Sequence, residues 1–189
     1  MNYWVLTFLL GTYGVTCVEN LSDPTLQDLR AFLNTEGNIY LYSSSHRNIF
    51  WDHPGLDEEC TQYRPIEYDD DDYFFNTSYM LNCTWTSRPL NAWLKEDKHS
   101  KRPYLSQAIE HGAPSTKLYL YAYNAEAGCA FFLYTFGQQS NNLYCETQVR
   151  SEKVEAYTAI KGDICRNYTS SFCKENFTTI YKEYCRNYF

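Results

Sequence analysis

Eight cysteines, four histidines and a run of four aspartates are the residues of this chain whose types and spacing could do chemistry. Cys129, Cys145, Cys165, Cys173 and Cys185 crowd the last third, with Cys17, Cys60 and Cys83 before them. Such usage fits disulfide staples in an oxidising compartment rather than thiols kept reduced in cytosol. The histidines, His46, His53, His99 and His111, stand singly, without the spacing of metal ligands or of a base beside a nucleophile. No glycine-rich phosphate loop occurs, so no catalysis, metal or cofactor is expected. In Glu67-Tyr68-Asp69-Asp70-Asp71-Asp72-Tyr73 four like charges repel one another and resist burial, which predicts a solvated loop. The alternating spacing and glycine of a calcium loop are missing there. Tyrosines flanked by acids on a secreted chain are typical sulfation substrates, and sulfate on Tyr68 or Tyr73 would form an anionic patch able to steer toward a basic partner.

The elements that must position these residues begin after an apolar run, Tyr3 to Leu10, followed by small residues up to Cys17. That run suits the core of a signal peptide and is too short to span a bilayer. Residues 1–17 are expected to be a signal peptide and 18–189 one domain. Cleavage after Cys17 removes that cysteine, and cleavage after Gly14 keeps it; the first is the expectation. No later apolar run is long enough for a membrane anchor. Five Asn-X-Ser/Thr acceptors, Asn20, Asn76, Asn82, Asn167 and Asn176, agree with secretion. A mature chain of about 170 residues can bury roughly 70% of its extended surface, so a sizeable core is available. Net charge is −7 and no basic stripe stands out, which disfavours nucleic acid as a partner. Aromatic residues make up 18%, with 19 tyrosines, a composition suited to lining a cavity or covering a sheet.

Asp23-Pro24 before Thr25 to Leu33 predicts a short helix, capped by Asp23, with Leu26, Leu29, Phe32 and Leu33 on its apolar face. Strands follow at Ile39–Tyr42, Cys60–Tyr68, Tyr73–Asn82, Pro89–Leu94, Tyr104–Ile109, Leu118–Tyr123, Cys129–Phe136 and Leu143–Val149. A helix over Asp163–Lys174 and a short strand over Phe177–Tyr181 close the chain. Eight regularly spaced strands between two helices predict a mainly β fold, an eight-stranded antiparallel barrel of lipocalin order, able to hold one small ligand in its mouth.

Three stretches resemble the tick salivary lipocalins, the histamine-binding-protein family. They are Asp28-Leu29-Arg30-Ala31-Phe32-Leu33-Asn34-Thr35 with Asn38-Ile39-Tyr40-Leu41; Gly128-Cys129-Ala130-Phe131-Phe132 with Tyr144-Cys145-Glu146; and Cys165-Arg166-Asn167-Tyr168, Cys173, Phe177-Thr178-Thr179-Ile180-Tyr181 and Cys185. The resemblance implies bridges Cys60–Cys185, Cys129–Cys165 and Cys145–Cys173, the last clamping the C-terminal helix. Cys83 is left to pair with a retained Cys17 or to stay free.

Amine-binding members of that family carry Cys-Asp-aliphatic, then Glu-Leu-Trp, then a cysteine. This chain has Cys129-Ala130-Phe131, Glu146-Thr147-Gln148 and Cys165, so only Glu146 of the polar ligands is retained. A protonated amine in a dry barrel needs a carboxylate against its desolvation and aromatic faces for cation–π attraction; both are weakened here, which shifts weight toward an apolar mediator such as a fatty-acid derivative. If Glu146 points inward, Tyr144 and Gln148 do too, by strand alternation. Matching to the family puts Leu118, Leu120, Ala122, Ala130, Phe132 and Tyr134 on the same face. Phe50, Trp51 and His53 lie in the loop after the first strand, either a lid at the mouth or an aromatic loop packed on the barrel rim. The plain alternative is a packed interior without ligand space. The resemblance implies a secreted protein that sequesters a small host mediator, a biogenic amine such as histamine or serotonin or an apolar lipid, to suppress host defence. A different class of function is inhibition of a host protease, complement or cytokine component through the outer surface, with the acidic loop meeting a basic host protein.

Overall fold

A computed structural model describes residues 23–46, 58–108, 116–135, 143–160, 164–167, 173 and 177–188. The expected leader, Cys17, the loop with Phe50, Trp51 and His53, and the acceptors Asn20 and Asn176 lie outside the described residues. Helix α1, Leu26–Leu33, starts one residue after Thr25, whose extended backbone lets its hydroxyl accept from the Asp28 N–H at 3.2 Å. The Asp28 carboxylate accepts in return from the Thr25 N–H at 2.8 Å, a complete capping box. This corrects the expected Asp23 cap: Pro24 precedes the cap instead of opening the helix, and Asp23 pairs with Arg102 at 3.0 Å. Leu29, Phe32 and Leu33 are buried, and Leu26 packs against them.

Eight antiparallel strands follow: β1 Ile39–Ser44, β2 Glu58–Asp69, β3 Asp72–Leu81, β4 Thr84–Glu96, β5 Pro103–Ala108, β6 Thr116–Asn124, β7 Cys129–Thr135 and β8 Tyr144–Arg150. Each pairs with the next; β8 pairs with β1, and β1 with β2 at Ile39/Tyr63 and Tyr40/Gln62, so the sheet closes on itself. Helix α1 lies across one end against β4, β5 and β6. Two cations fasten it there. Arg30 meets Asp71 of the β2–β3 turn at 2.7 Å. Arg150, at the end of β8, donates to the Phe32 carbonyl at 2.9 Å and to that of Ala31, as a cation at a helix C-terminus should.

Along β7, Ala130, Phe132 and Tyr134 face into the barrel, while Cys129, Phe131 and Leu133 face out. The outward set is buried too, because the C-terminal part of the chain covers it. Burying a Phe or Leu there is worth about 1.5–3 kcal/mol. The cover comprises α2 Val154–Ala159, which the sequence reading did not anticipate, and α3 Ile164–Asn167, shorter than the expected Asp163–Lys174 helix because Cys173, also described, is not helical. Val154, Tyr157 and Cys165 close this second core over β6–β8.

The tail finishes the wall. Cys60, with φ 57°, sits at an irregularity that bends β2 away from β1. The two-residue β9, Thr178–Thr179, pairs with β1. The Ile180 N–H then donates to the Tyr42 carbonyl at 2.9 Å, and the Cys60 N–H to the Ile180 carbonyl at 3.3 Å. Ile180 joins the interior core while Tyr181 packs outside on Tyr40, with ring centroids 5.0 Å apart. A closing 3₁₀ helix, Glu183–Tyr188, brings Cys185 to Cys60.

Three bridges join Cys60–Cys185, Cys129–Cys165 and Cys145–Cys173, the pairs implied by the resemblance. Cys83 is an exposed free thiol in the β3–β4 turn. Among the described residues no helix is long and apolar enough to cross a membrane.

A buried carboxylate inside the barrel

Glu146 occupies the middle of β8, opposite Phe132 on one side and Ser44 on the other. Strand alternation aims it inward with Gln148, and it is 1% exposed. The Gln148 side-chain N–H donates to Glu146 Oε1 at 2.5 Å. No Lys, Arg or His among the described residues forms an ion pair with it. Burial pushes its pKa up to about 7; the Gln148 donor opposes that rise and the charge of Glu58 adds to it. The two carboxylates therefore share one interior. Glu58, at the start of β2, is itself buried, with the Thr61 hydroxyl donating to it at 3.4 Å.

Phenols surround the pair. Tyr63 and Tyr134 have their pKa values raised, first by burial and then by the Glu146 charge. Tyr73 stacks on Phe75 at 4.9 Å, and Tyr63 stands edge-on to the same ring at 5.8 Å. The hydroxyls of Tyr73 and Thr77 are buried without a hydrogen-bond partner among the described residues. Phe32, Leu118, Leu120 and Phe132 complete the apolar lining. An ion held among π-faces and acceptor oxygens in such surroundings would be a cation.

Glu146, Gln148, Leu118, Leu120, Phe132 and Tyr134 share the buried interior, as strand alternation and the family match implied. Tyr144 is half-buried, stacked on Tyr134 at 5.7 Å and met edge-on by His46 at 4.8 Å. Trp51 lies outside the described residues. Ala122 does not share the interior. The β6–β7 register shifts between Leu120 and Ala122, so Tyr121 is an extra residue, Ala122 turns outward, and Tyr123 packs inward edge-on to Phe32 at 6.0 Å. Glu58, Tyr63, Tyr73 and Thr77 went unnoticed in the sequence. The presence of Glu58 just ahead of Cys60 was the available signal, hidden by the irregularity that breaks alternation there.

The acidic run divides in the structure. Asp70 and Asp71 form the exposed β2–β3 turn, with Asp71 held by Arg30. Tyr73, however, is 2% exposed, inside the barrel, and the Tyr68 hydroxyl is buried beside Arg30. Neither phenol is presented for sulfation, which overturns that expectation. Among the described residues no three His, Cys, Asp or Glu side chains converge as metal ligands do. Of the expected glycan acceptors, Asn82 is exposed beside Cys83, Asn76 is half-buried on β3 opposite Pro89, and Asn167 lies in α3.

No protein-family profile and no curated protein matches the sequence. Solved structures do match. The siderocalin Ex-FABP, described as functioning through dual ligand specificities, superposes with a TM-score of 0.53 at 12% identity, covering 78% of this chain and 94% of that one. The fold is a lipocalin barrel. A serotonin complex of AM182 gives a TM-score of 0.48 at 13% identity, covering 82% of this chain and 91% of the other. At these identities the likeness is one of architecture.

Among the described residues Glu146 is enclosed by buried side chains. Leu120, Phe132, Tyr134, Gln148 and Tyr63 are all buried against one another.

Proposed function

We propose that this chain is a secreted lipocalin-type carrier that sequesters a small amine of a host, in the manner of the tick salivary proteins it resembles, and so blunts host defence. The observation that carries the reading is Glu146, a carboxylate 1% exposed among aromatic rings, with no described cation paired to it. A second buried carboxylate, Glu58, moves the reading from an apolar mediator toward an amine, since a ligand that itself bears a carboxylate would meet like charge. Three disulfides support an extracellular setting. The mechanism is binding without turnover. An ammonium group exchanges water for Glu146 and the faces of Tyr63 and Tyr134, and capture is limited by the amount of protein present.

Calorimetric titration of the oxidised, glycosylated protein with histamine, serotonin and a leukotriene tests it. Saturable heat with an amine, lost in Glu146→Gln, is the expected result. Heat with the leukotriene alone would return the reading to an apolar mediator. The burial of the described lining favours one alternative, inhibition of a host protein through the outer surface, and silence from all three ligands is the result that would support it.

A further inference from the structure

The hairpin joining β4 to β5 presents Lys98, His99 and Lys101 to solvent, with Lys95 just before them on β4 and Lys117 two strands away on β6. Residues 73–125 hold six Lys and Arg against three acids, whereas the whole chain has net charge −7. Basic side chains therefore cluster on this hairpin and the strands beside it, which the linear sequence does not show as a stripe. The sequence concealed it because Glu96 and Asp97 interrupt the run and Lys117 arrives from another strand.

The hairpin is rigid. The Asp97 N–H donates to the Arg102 carbonyl and the Lys101 N–H to the Asp97 carbonyl, both at 2.9 Å. Asp97 Oδ1 accepts from the His99 N–H at 3.0 Å, the Ser100 N–H at 2.9 Å and the Ser100 hydroxyl at 3.0 Å. Those donors hold its pKa below the ordinary carboxylate value and turn its charge into the turn itself. Lys101 has φ 58°, a left-handed conformation that glycine or asparagine adopts more easily.

Aromatic rings alternate with these cations on the outer face. Lys95 Nζ lies over the Trp93 ring at 5.8 Å, and Lys117 Nζ over Tyr104 at 5.2 Å. Tyr104 in turn lies beside its register partner Tyr119, with centroids 5.1 Å apart. A surface cleft of about 620 Å³ opens here, lined by Lys95, Lys98, His99, Tyr104 and Lys117. Three acids also line it: Asp71 is paired with Arg30, which leaves Glu96 and the turn-bound Asp97 facing three lysines and His99. The described C-terminal segments pack over Ala122, Phe131, Leu133 and Cys145 rather than over Lys95, Tyr104 and Lys117, which are exposed or half-exposed.

We propose that the outer face of β4–β6, with the Asp97–Arg102 hairpin, is a binding surface for a sulfated polysaccharide. Ammonium groups meet sulfates, and flat half-exposed rings such as Trp93 and Tyr119 meet the apolar faces of sugars. The occupant follows from charge complementarity, from the aromatic platforms between the cations, and from bridges that belong to an extracellular setting, where nucleic acid is not the common polyanion.

A heparin decasaccharide titrated into the oxidised full-length protein at several salt concentrations tests this. Saturable binding that weakens with salt is expected. Lys95→Ala with Lys117→Ala should weaken it at least tenfold and lower the salt slope by about two, one per lysine. Lys98→Ala with Lys101→Gly should act the same way, while Lys153→Ala with Lys182→Ala, away from the face, should not. Melting temperatures equal to the parent's show that the loss is not one of folding. Absence of saturable binding overturns the proposal. So does binding unchanged in both hairpin-side double variants, and so does equal affinity for single-stranded DNA of matched charge, which would mark a generic polyanion surface.

Discussion

Gln148 reaches Glu146 at 2.5 Å from two positions further along β8, so one strand supplies both the interior carboxylate and its hydrogen-bond donor. The donor favours the charged form, yet burial outweighs it and Glu146 ionises at about 7 rather than at its ordinary 4.5. Between those values the folded chain holds a proton that the unfolded chain has released. Its contribution to stability is thus intact below 4.5 and lost as pH rises through 7, about 3 kcal/mol in all. Glu146→Gln should therefore match the parent near pH 4.5 and exceed it by about 3 kcal/mol at pH 8. Urea unfolding at the two pH values measures this, and a variant less stable than the parent at pH 8 would contradict the account.

The same ionisation makes a proton and an ammonium ligand competitors. Amine affinity should be flat above pH 8 and fall about tenfold per unit below pH 6. Titrations at pH 5.5, 6.5 and 8 are sufficient, with Glu146→Gln weak and pH-independent. Parent affinity that ignores pH would mean that the cation is held elsewhere.

Cys60→Ser with Cys185→Ser should destabilise the protein by about 5 kcal/mol, the chain-entropy value for a loop whose ends are 125 residues apart. Because that bridge anchors the segment lying between β1 and β2, the Cys60 and Ile180 amides should exchange first. Hydrogen exchange reads both. Loss of protection beginning in β4 or β5 would place the weak point elsewhere.

Thr25→Ala removes one half of the capping box and should cost about 1 kcal/mol, whereas Asp23→Ala removes only an exposed pair with Arg102 and should cost a few tenths. Denaturant midpoints distinguish them. Equal losses would restore Asp23 as the cap.

The barrel was legible in the sequence because turn residues and strand-length aromatic runs recur at even spacing, and every expected strand is present within a few residues. Bridge pairing came from the resemblance, since spacing alone does not choose partners for eight cysteines. Reading failed where alternation fails. The extra residue at Tyr121 reverses Ala122, and the bend at Cys60 hides the inward aim of Glu58. The buried place of Tyr73 was masked by its acidic neighbours, which suggested solvent when only the turn beside it is wet. Helix α2 escaped because six residues over β8 carry too little periodicity to announce a helix.

The seat of Ile180 between β1 and β2 sets an order of events for biosynthesis. The first two strands of the wall are made early, but the residue that seals the gap between them follows some 120 positions later. A nascent chain halted before it would carry an unfilled slot, and its Cys60 would have no partner to meet. Closure of the Cys60–Cys185 bridge thus requires both that the tail has been made and that it has reached the slot between the first two strands.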